Sequence, residues 1–544
     1  MKTITFSTEI PNITNGFDWS LPSYADALQN KNGGMLAEDA ADDIEVAGGF
    51  LEVLWYHSEL EEGVFTFNHF ANRLANSTGD VLVRLEVNSQ CHTPSWTTIP
   101  FLNSRTLQFW KNEYLDQVSG FINKFAEDYA HNPRIVGVQL GIADGKYKTN
   151  SCPDVSALDP NNIDDNNLIF DQLVYNFGRD GWGEFWLNDA EMTEATQQGG
   201  LTASVFETKT KQIIDLYVNA FGPKYKHKLA LTSFDVFDGS DIGYPDIQDK
   251  MKTIAKYAID QGIGNRGGEI EAWMRYTDNV YGVDFITGSN TDGSCSMTFD
   301  ENFADTIVGR YWGDENEFYG PGLEDTSGPT SNQSYRFYMS SLRALQLRRN
   351  YFSVGSTQLN FLRNFNDEFN TNNFITYLSK VLGRTREDTP DAFVVLGERT
   401  LSTNSGLYPK EYKTPHTSEP CLIAGSNRGY TTVNEFGRWL SVVSATDGDP
   451  HLRKDMPNSE KNWGLNLIAD RGNNTFYELY ARKSPELLFD INDQLMQQRC
   501  PNICNLTVKI IFKDNNATSL QLSHANGVSE ILTTQGTGQI KTAS

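Results

Sequence analysis

Over roughly its first 385 residues the chain alternates short β-branched runs with stretches of helical periodicity, and it does so about eight times. That alternation is the mark of βα units, and it restricts the fold more than any other feature of the sequence. The candidate strands are 12–21 ("NITNGFDWSL"), 48–56 ("GGFLEVLWY"), 81–87 ("VLVRLEV"), 134–142 ("RIVGVQLGI"), 227–235 ("HKLALTSFD"), 267–273 ("GGEIEAW"), 306–314 ("TIVGRYWGD") and 357–365 ("TQLNFLRNF"). Between most of them lie helical stripes. Over 105–130, Leu107, Trp110, Tyr114, Val118, Phe121, Ile122, Phe125 and Tyr129 recur at i, i+3 and i+4, as a helix facing a sheet requires. Residues 207–221, 246–261, 334–352 and 372–383 repeat the pattern. The predicted fold class is α/β, a (β/α)8 barrel. Residues 274–305 fit it least, being polar and without a helical stripe. An open doubly wound sheet is the alternative, but it calls for a Gly-rich phosphate turn after the first strand. The nearest candidate, "GIGNRGG" (262–268), precedes a strand instead of opening a helix.

Beyond residue 385 the texture changes. Pro-, Ser- and Asn-rich stretches give way to short alternating runs, "TFYELYARK", "ELLFDIND", "NLTVKIIFKD" and "SLQLSHA". Their spacing predicts an antiparallel β-sandwich. The expected organisation is a barrel over 1–385, an irregular connection over 386–425 and a β-sandwich over 426–544.

Composition excludes several functions. With 70 acidic against 45 basic residues the net charge is -25, which lacks the basic footprint that nucleic acid demands. An anionic membrane surface is an equally poor partner, and no run of apolar residues is long enough to span a bilayer. No cysteine or histidine spacing fits a metal site, so neither metal nor cofactor is expected. No G-x-S-x-G turn supports a serine hydrolase. The cysteines number six, and N-x-S/T sequons occur at Asn12, Asn76, Asn332, Asn473, Asn505 and Asn516. Together they point to a secreted protein whose signal peptide has been removed.

In a (β/α)8 barrel the reacting groups sit at the C-terminal ends of the strands. Acids, amides and rings collect at those predicted ends: Trp19 at the end of strand 1, Trp55 and His57 at the end of strand 2, Asn88, His92 and Trp96 after strand 3, Gln139 on strand 4. Trp273 ends strand 6 and Arg275 follows it, Arg310 and Trp312 lie on strand 7, and Arg363 on strand 8. Rings stack on sugar faces and amides bind hydroxyls, so the set points to an oligo- or polysaccharide. Any single acid at a βα turn is equally readable as a helix N-cap; the concentration at one rim is what argues for a site.

Several segments resemble the clan A glycoside hydrolases related to families 42 and 39. "VLWYHSELEEGVFTFNHFANRL" (53–74) followed by "GDVLVRLEV" is similar to their second and third βα units, with Glu61 where a proline usually stands. "IVGVQLGIADGKY" looks like their fourth strand, "YLSKVLGRTREDTPDAFVVL" like the barrel's close, and "YARKSPELLFDIND" like their C-terminal β-sandwich. The resemblance implies retaining hydrolysis with two glutamates, an acid/base after strand 4 and a nucleophile after strand 7.

The nucleophile is expected in "GRYWGDENEFYG" (309–320). Glu315 follows the strand most directly, Glu317 has the same parity and is the alternative, and strand alternation turns Asp314 to the other face. For the acid/base, "GRDGWGEFWLND" (178–189) offers Glu184 among aromatic residues, at the end of a long insertion after strand 4. Asp144 and Asp235 are the competing acids. If several of the rim arginines and Arg84 face the cleft, an anionic, sulfated or carboxylated glycan is favoured. A non-catalytic carbohydrate-binding barrel accounts for the missing strand 4 glutamate equally well, and an adhesive surface protein is a third class.

Overall fold

In the computed structural model of the protein the described residues are 3–4, 12–22, 25, 33–37, 47–87, 93–102, 107–142, 189–232, 245–267, 279–286, 296–316, 331–355, 359, 362–363, 370–395, 398–401, 436–445, 477–480, 486–499, 503–504, 506–514, 517, 519–524, 527–528 and 531–544. Eight parallel strands close into a barrel in chain order: β1 (Gly34–Ala37), β2 (Gly48–Leu54), β3 (Asp80–Glu86), β4 (Ile135–Gln139), β5 (Leu229–Thr232), β6 (Gly264–Arg266), β7 (Trp312–Asn316) and β8 (Tyr351–Val354). Helices α1 (Asn68–Asn76), α2 (Asn112–Tyr129), α3 (Asp189–Gln197), α4 (Ala203–Tyr225), α5 (Pro245–Gln261), α6 (Glu301–Ile307), α7 (Ser331–Gln346) and α8 (Thr371–Val381) connect or follow the strands. The expected barrel is therefore present.

Strand parity divides the core into two layers. Outward residues such as Leu51, Val53, Val83, Leu85, Val138 and Leu231 pack with Phe121, Ile122, Phe125, Ile213 and Tyr217 of the helices. Inward residues Leu36, Phe50, Leu82 and Ala230 meet Tyr311 and Tyr351 to fill the barrel interior. The two tyrosine rings stack at 5.1 Å and 7°, and the Tyr351 hydroxyl donates to Asp80 Oδ2 at 3.0 Å. Space for Tyr311 comes from glycines. A Cβ on Gly137 would lie 2.5 Å from both Leu82 Cδ1 and Tyr311 Cδ2, and one on Gly313 would lie 2.5 Å from the Tyr311 hydroxyl. Gly137→Ala is accordingly expected to destabilise the fold by about 1–3 kcal/mol through overpacking. A urea midpoint unchanged from wild type would refute that account of the interior.

Four expected strands need correction. Residues 12–21 do not enter the barrel. Ile13–Asn15 pairs antiparallel with Ile540–Ala543, which also pairs with Ile510–Lys513. β1 is instead the four-residue run Gly-Met-Leu-Ala, too short to stand out as a strand. The sixth barrel strand is Gly264–Arg266, and most of the expected 267–273 lies outside the described residues. The expected 306–314 overlaps α6, which Asp300 caps by accepting from the Asn302 N–H at 2.8 Å, so the strand starts only at Trp312. The expected 357–365 is helical where described, at Leu359, Leu362 and Arg363. β8 precedes it, because Arg348 at φ 58° breaks the backbone after α7 and Tyr351–Val354 then runs extended. Residues 274–305 hold a hairpin, Val283–Ile286 with Ser296–Phe299, and then α6.

Among the described C-terminal residues the sheets are small and antiparallel: Phe393–Val395 with Phe436–Arg438, Glu398–Leu401 with Tyr477–Tyr480, and Leu440–Ala445 with Leu487–Ile491. The antiparallel texture agrees with the sequence; two facing sheets of a sandwich are not drawn by these residues. Arg438 ties this part to the barrel by donating to Val381 O at 3.1 Å and Arg384 O at 3.0 Å, at the C-terminal end of α8. Next to it, the Trp439 ring receives the guanidiniums of Arg348 at 4.8 Å and Arg438 at 4.3 Å.

Candidate active site

β7 carries the acidic motif, and its alternation separates the two acids. Trp312 faces outward and packs near Phe303 at 5.5 Å and Tyr281 at 6.0 Å. Asp314 shares that parity and pairs with Arg349 across 3.1 Å. Glu315 turns the other way, toward the barrel axis, where its carboxylate forms an ion pair with Arg266. Both partners are buried, with side-chain exposures of 1% and 0%. The strand is held in register by Asn350: its Oδ1 accepts from Trp312 N–H and its backbone N–H donates to Trp312 O, each at 2.8 Å.

Arg266 is the last residue of β6 and lies in register with Gly313. Its guanidinium sits 6.0 Å from the Phe50 ring centroid, across the barrel on β2, and that of Arg84 sits 4.4 Å from the same ring. Arg84 donates to Gln139 Oε1 at 3.0 Å, and Gln139 donates to Thr232 Oγ1 at 3.3 Å. Arg84 also lies 3.8 Å from Glu52, which pairs with Arg73 of α1 at 3.1 Å. Glu86 is buried at the end of β3. Above a floor of apolar and tyrosyl groups, the barrel thus carries carboxylates, two guanidiniums and an amide.

The residues expected at the rim are placed unevenly. Glu184, Glu317, Asp144, Asp235, Asn88, His92, Trp273 and Arg275 lie outside the described residues. Gln139 lies in the interior network, and Glu315 faces the axis in its ion pair with Arg266. Trp55 and Trp312 are buried on the helix side of the sheet, not exposed at the rim. Each stands one residue off the inward parity. Trp19 packs against Phe374 at 4.6 Å and stacks near Phe17 at 5.6 Å, in the layer formed with α7 and α8. Arg310 precedes β7, at the opposite end of the barrel, and donates to Ile259 O at 2.8 Å and Ile263 O at 3.1 Å. Arg363 is half-buried in a helical stretch after β8.

His57 and Trp96 stay at the C-terminal end. The segment after β2 begins with a helical turn, Trp55–Ser58. Glu59 then accepts from the Trp55 indole N–H at 2.7 Å and from Gly63 N–H at 2.8 Å, while its carbonyl accepts from the Trp96 indole at 2.9 Å. Burial pushes the Glu59 carboxyl up, against the lowering effect of the Trp55 and Gly63 hydrogen bonds. His57 lies edge-on to His69 at 5.5 Å. Burial lowers the pKa of His57. Burial, with the charges of His57 and Arg73, brings His69 down to about 3. An unfolded histidine titrates near 6.5, so between roughly 6.5 and 3 the unfolded chain binds the proton that folded His69 refuses. The contribution is complete above pH 6.5 and lost as pH falls toward 3. Wild type should lose up to about 1.4 kcal/mol per pH unit in that window, and His69→Gln distinctly less. Urea midpoints at pH 7 and pH 5 measure the difference; parallel losses would sink it.

Arg266 is the residue that reading the sequence missed. It lies within "GIGNRGG", where Gly-Asn-Arg gives no apolar signal for a strand. The signal that could have found it is the register of a parallel neighbour, which sets an arginine two residues behind a rim glutamate. Among the described residues, no group of three or more His, Cys, Asp or Glu could hold a metal ion. Nor is any described helix long and apolar enough to cross a membrane.

No family model matches the chain. No curated protein matches it either. Among solved structures, it is similar to the catalytic domain of a β-amylase from Paenibacillus polymyxa, at 11% identity and TM-score 0.33, over 64% of this chain and 97% of that one. It is similar to a cold-adapted β-galactosidase from Rahnella sp. R3, at 12% identity and TM-score 0.26, over 62% of this chain and 44% of that one. A β-galactosidase from the psychrophilic Marinomonas ef1 is similar at 8% identity and TM-score 0.28, over 56% of this chain and 49% of that one. The chain spans about half the length of the two β-galactosidases.

Proposed function

We propose that the protein is a glycoside hydrolase that works at the C-terminal mouth of its barrel, with Glu315 as the carboxylate that attacks the anomeric carbon. One observation carries the reading. At the end of β7 the strand turns Asp314 outward to Arg349 and Glu315 inward to Arg266, so a carboxylate facing a guanidinium stands on the barrel axis where substrate enters such a fold. The proposed substrate is an extracellular polysaccharide, and the proposed course is double displacement with retention. Glu184 is the proposed general acid and base, with Asp144 and Asp235 as alternatives. Gln139, His57 and Trp96 are the described groups nearest the role of sugar contacts.

Release of reducing ends from a panel of neutral and sulfated polysaccharides tests the activity, and NMR of the first anomer formed tests retention. Glu184→Gln should cut kcat/KM by about 10²-fold or more on poor leaving groups and far less on nitrophenyl glycosides, whose departure needs no protonation. An equal loss on both would remove Glu184 from that role. The burial of Glu315 and Arg266 favours a second reading, a non-catalytic carbohydrate-binding barrel in which the ion pair is structural. Binding to the panel without release of reducing ends would select it.

A further inference from the structure

We infer that Arg266 is a positioning residue that governs both halves of the proposed reaction: it keeps Glu315 charged before attack and drives it off the sugar afterwards. The inference rests on the glycosidase reading above. Arg266 is fully buried, ends the strand beside β7, and faces Glu315 as an ion pair. The Phe50 ring at 6.0 Å gives it an apolar wall on the far side of the barrel. Arginine does not shed its proton, so its charge is constant through the cycle. Arg84, near the same ring, faces Gln139 and Glu52; Tyr311 lies below; Asp314 points away to Arg349.

In the first half, a Glu315 oxygen forms a bond to the anomeric carbon as that carbon's bond to the leaving oxygen breaks. The leaving oxygen takes the electron pair and a proton from the general acid. Glu315 is now an ester, and Arg266 no longer faces a negative charge. In the second half, water attacks the anomeric carbon and gives its proton to the same acid/base residue. The ester C–O electron pair returns to Glu315, and the ion pair is restored. A buried cation left without its counter-charge is costly, so Arg266 raises the covalent intermediate relative to the states on either side. The intermediate therefore does not accumulate.

Arg266→Met and Arg266→Lys separate this role from a packing role. In the Met variant the acidic limb of kcat/KM should rise by about one pH unit or more, because the cation favouring the charged carboxylate is gone. The Lys variant should keep the limb close to wild type. With a nitrophenyl glycoside, the Met variant should show a burst and carry one glycosyl unit on Glu315 by mass spectrometry; wild type should not. If the Met variant does not fold, Arg266→Gln carries the same expectations. An unmoved limb with no burst in a folded neutral variant overturns the inference while leaving the glycosidase reading intact. Full activity in Glu315→Gln overturns both.

Discussion

Glu315→Gln is expected to lower kcat by about 10³-fold or more on every glycoside that the wild type hydrolyses. The amide keeps the shape but cannot bond covalently to the anomeric carbon or balance its charge. The variant should also lose stability, because Arg266 keeps its charge in the buried interior while its partner becomes neutral. Rates must therefore be taken well below the unfolding midpoint and divided by the folded fraction from circular dichroism. These two effects distinguish the two readings of the ion pair. A catalytic carboxylate loses activity per folded molecule. A structural one loses only stability, and folded variant within tenfold of wild type would remove Glu315 from the chemistry.

On the other side of β7, Arg349→Met should destabilise the protein by about 3–5 kcal/mol, the usual cost of removing one partner of a buried ion pair. Asp314 and Arg349 have side-chain exposures of 0% and 1%. Arg349 also donates to Asn265 Oδ1 at 3.1 Å on β6 and lies 5.2 Å from the Trp312 ring centroid. One guanidinium therefore braces β6 and β7 from outside the barrel, while Arg266 and Glu315 join them from inside. Neutralising the remaining acid as well, in Asp314→Asn/Arg349→Met, should recover a clear part of the loss. Additive losses in the urea-melt cycle would show that the pair does not interact.

The fold was most legible where the strands are long and apolar. β2 through β5 stand out because Gly-Gly-Phe-Leu-Glu-Val-Leu, Val-Leu-Val-Arg-Leu-Glu and their neighbours carry β-branched and aliphatic residues on both faces. The other strands were shifted or missed, each for a reason. β1 has four residues. β6 is Gly-Asn-Arg and β7 is Trp-Gly-Asp-Glu-Asn, so polar groups occupy the positions where a hydrophobic pattern was sought. Those same polar groups make up the candidate site. Strand signals therefore faded where the chemistry is proposed to lie, as expected when local patterning yields to function. The parity argument for Glu315 over Asp314 needed only alternation, and the structure turns the two residues as expected. Two of the expected rim rings show the reverse: Trp55 and Trp312 are one residue off the inward parity and became core.

The pairing of Ile13–Asn15 with Ile540–Ala543 bears on how the chain is made. The Thr542 hydroxyl donates to Gly16 O at 2.7 Å across 526 residues of sequence, and Asn12 and Ser544 exchange backbone hydrogen bonds at 3.0 Å. At about 5–20 residues per second, the ribosome delivers the partner of the Ile13–Asn15 strand roughly half a minute to nearly two minutes late. Until then Phe17 and Trp19 lack the Ile540 side of their cluster, and the strand keeps open backbone edges that invite mispairing. Nascent chains stalled before residue 540 should bind chaperones and yield to proteases near residues 13–15, and both sensitivities should fall once residues 540–543 emerge.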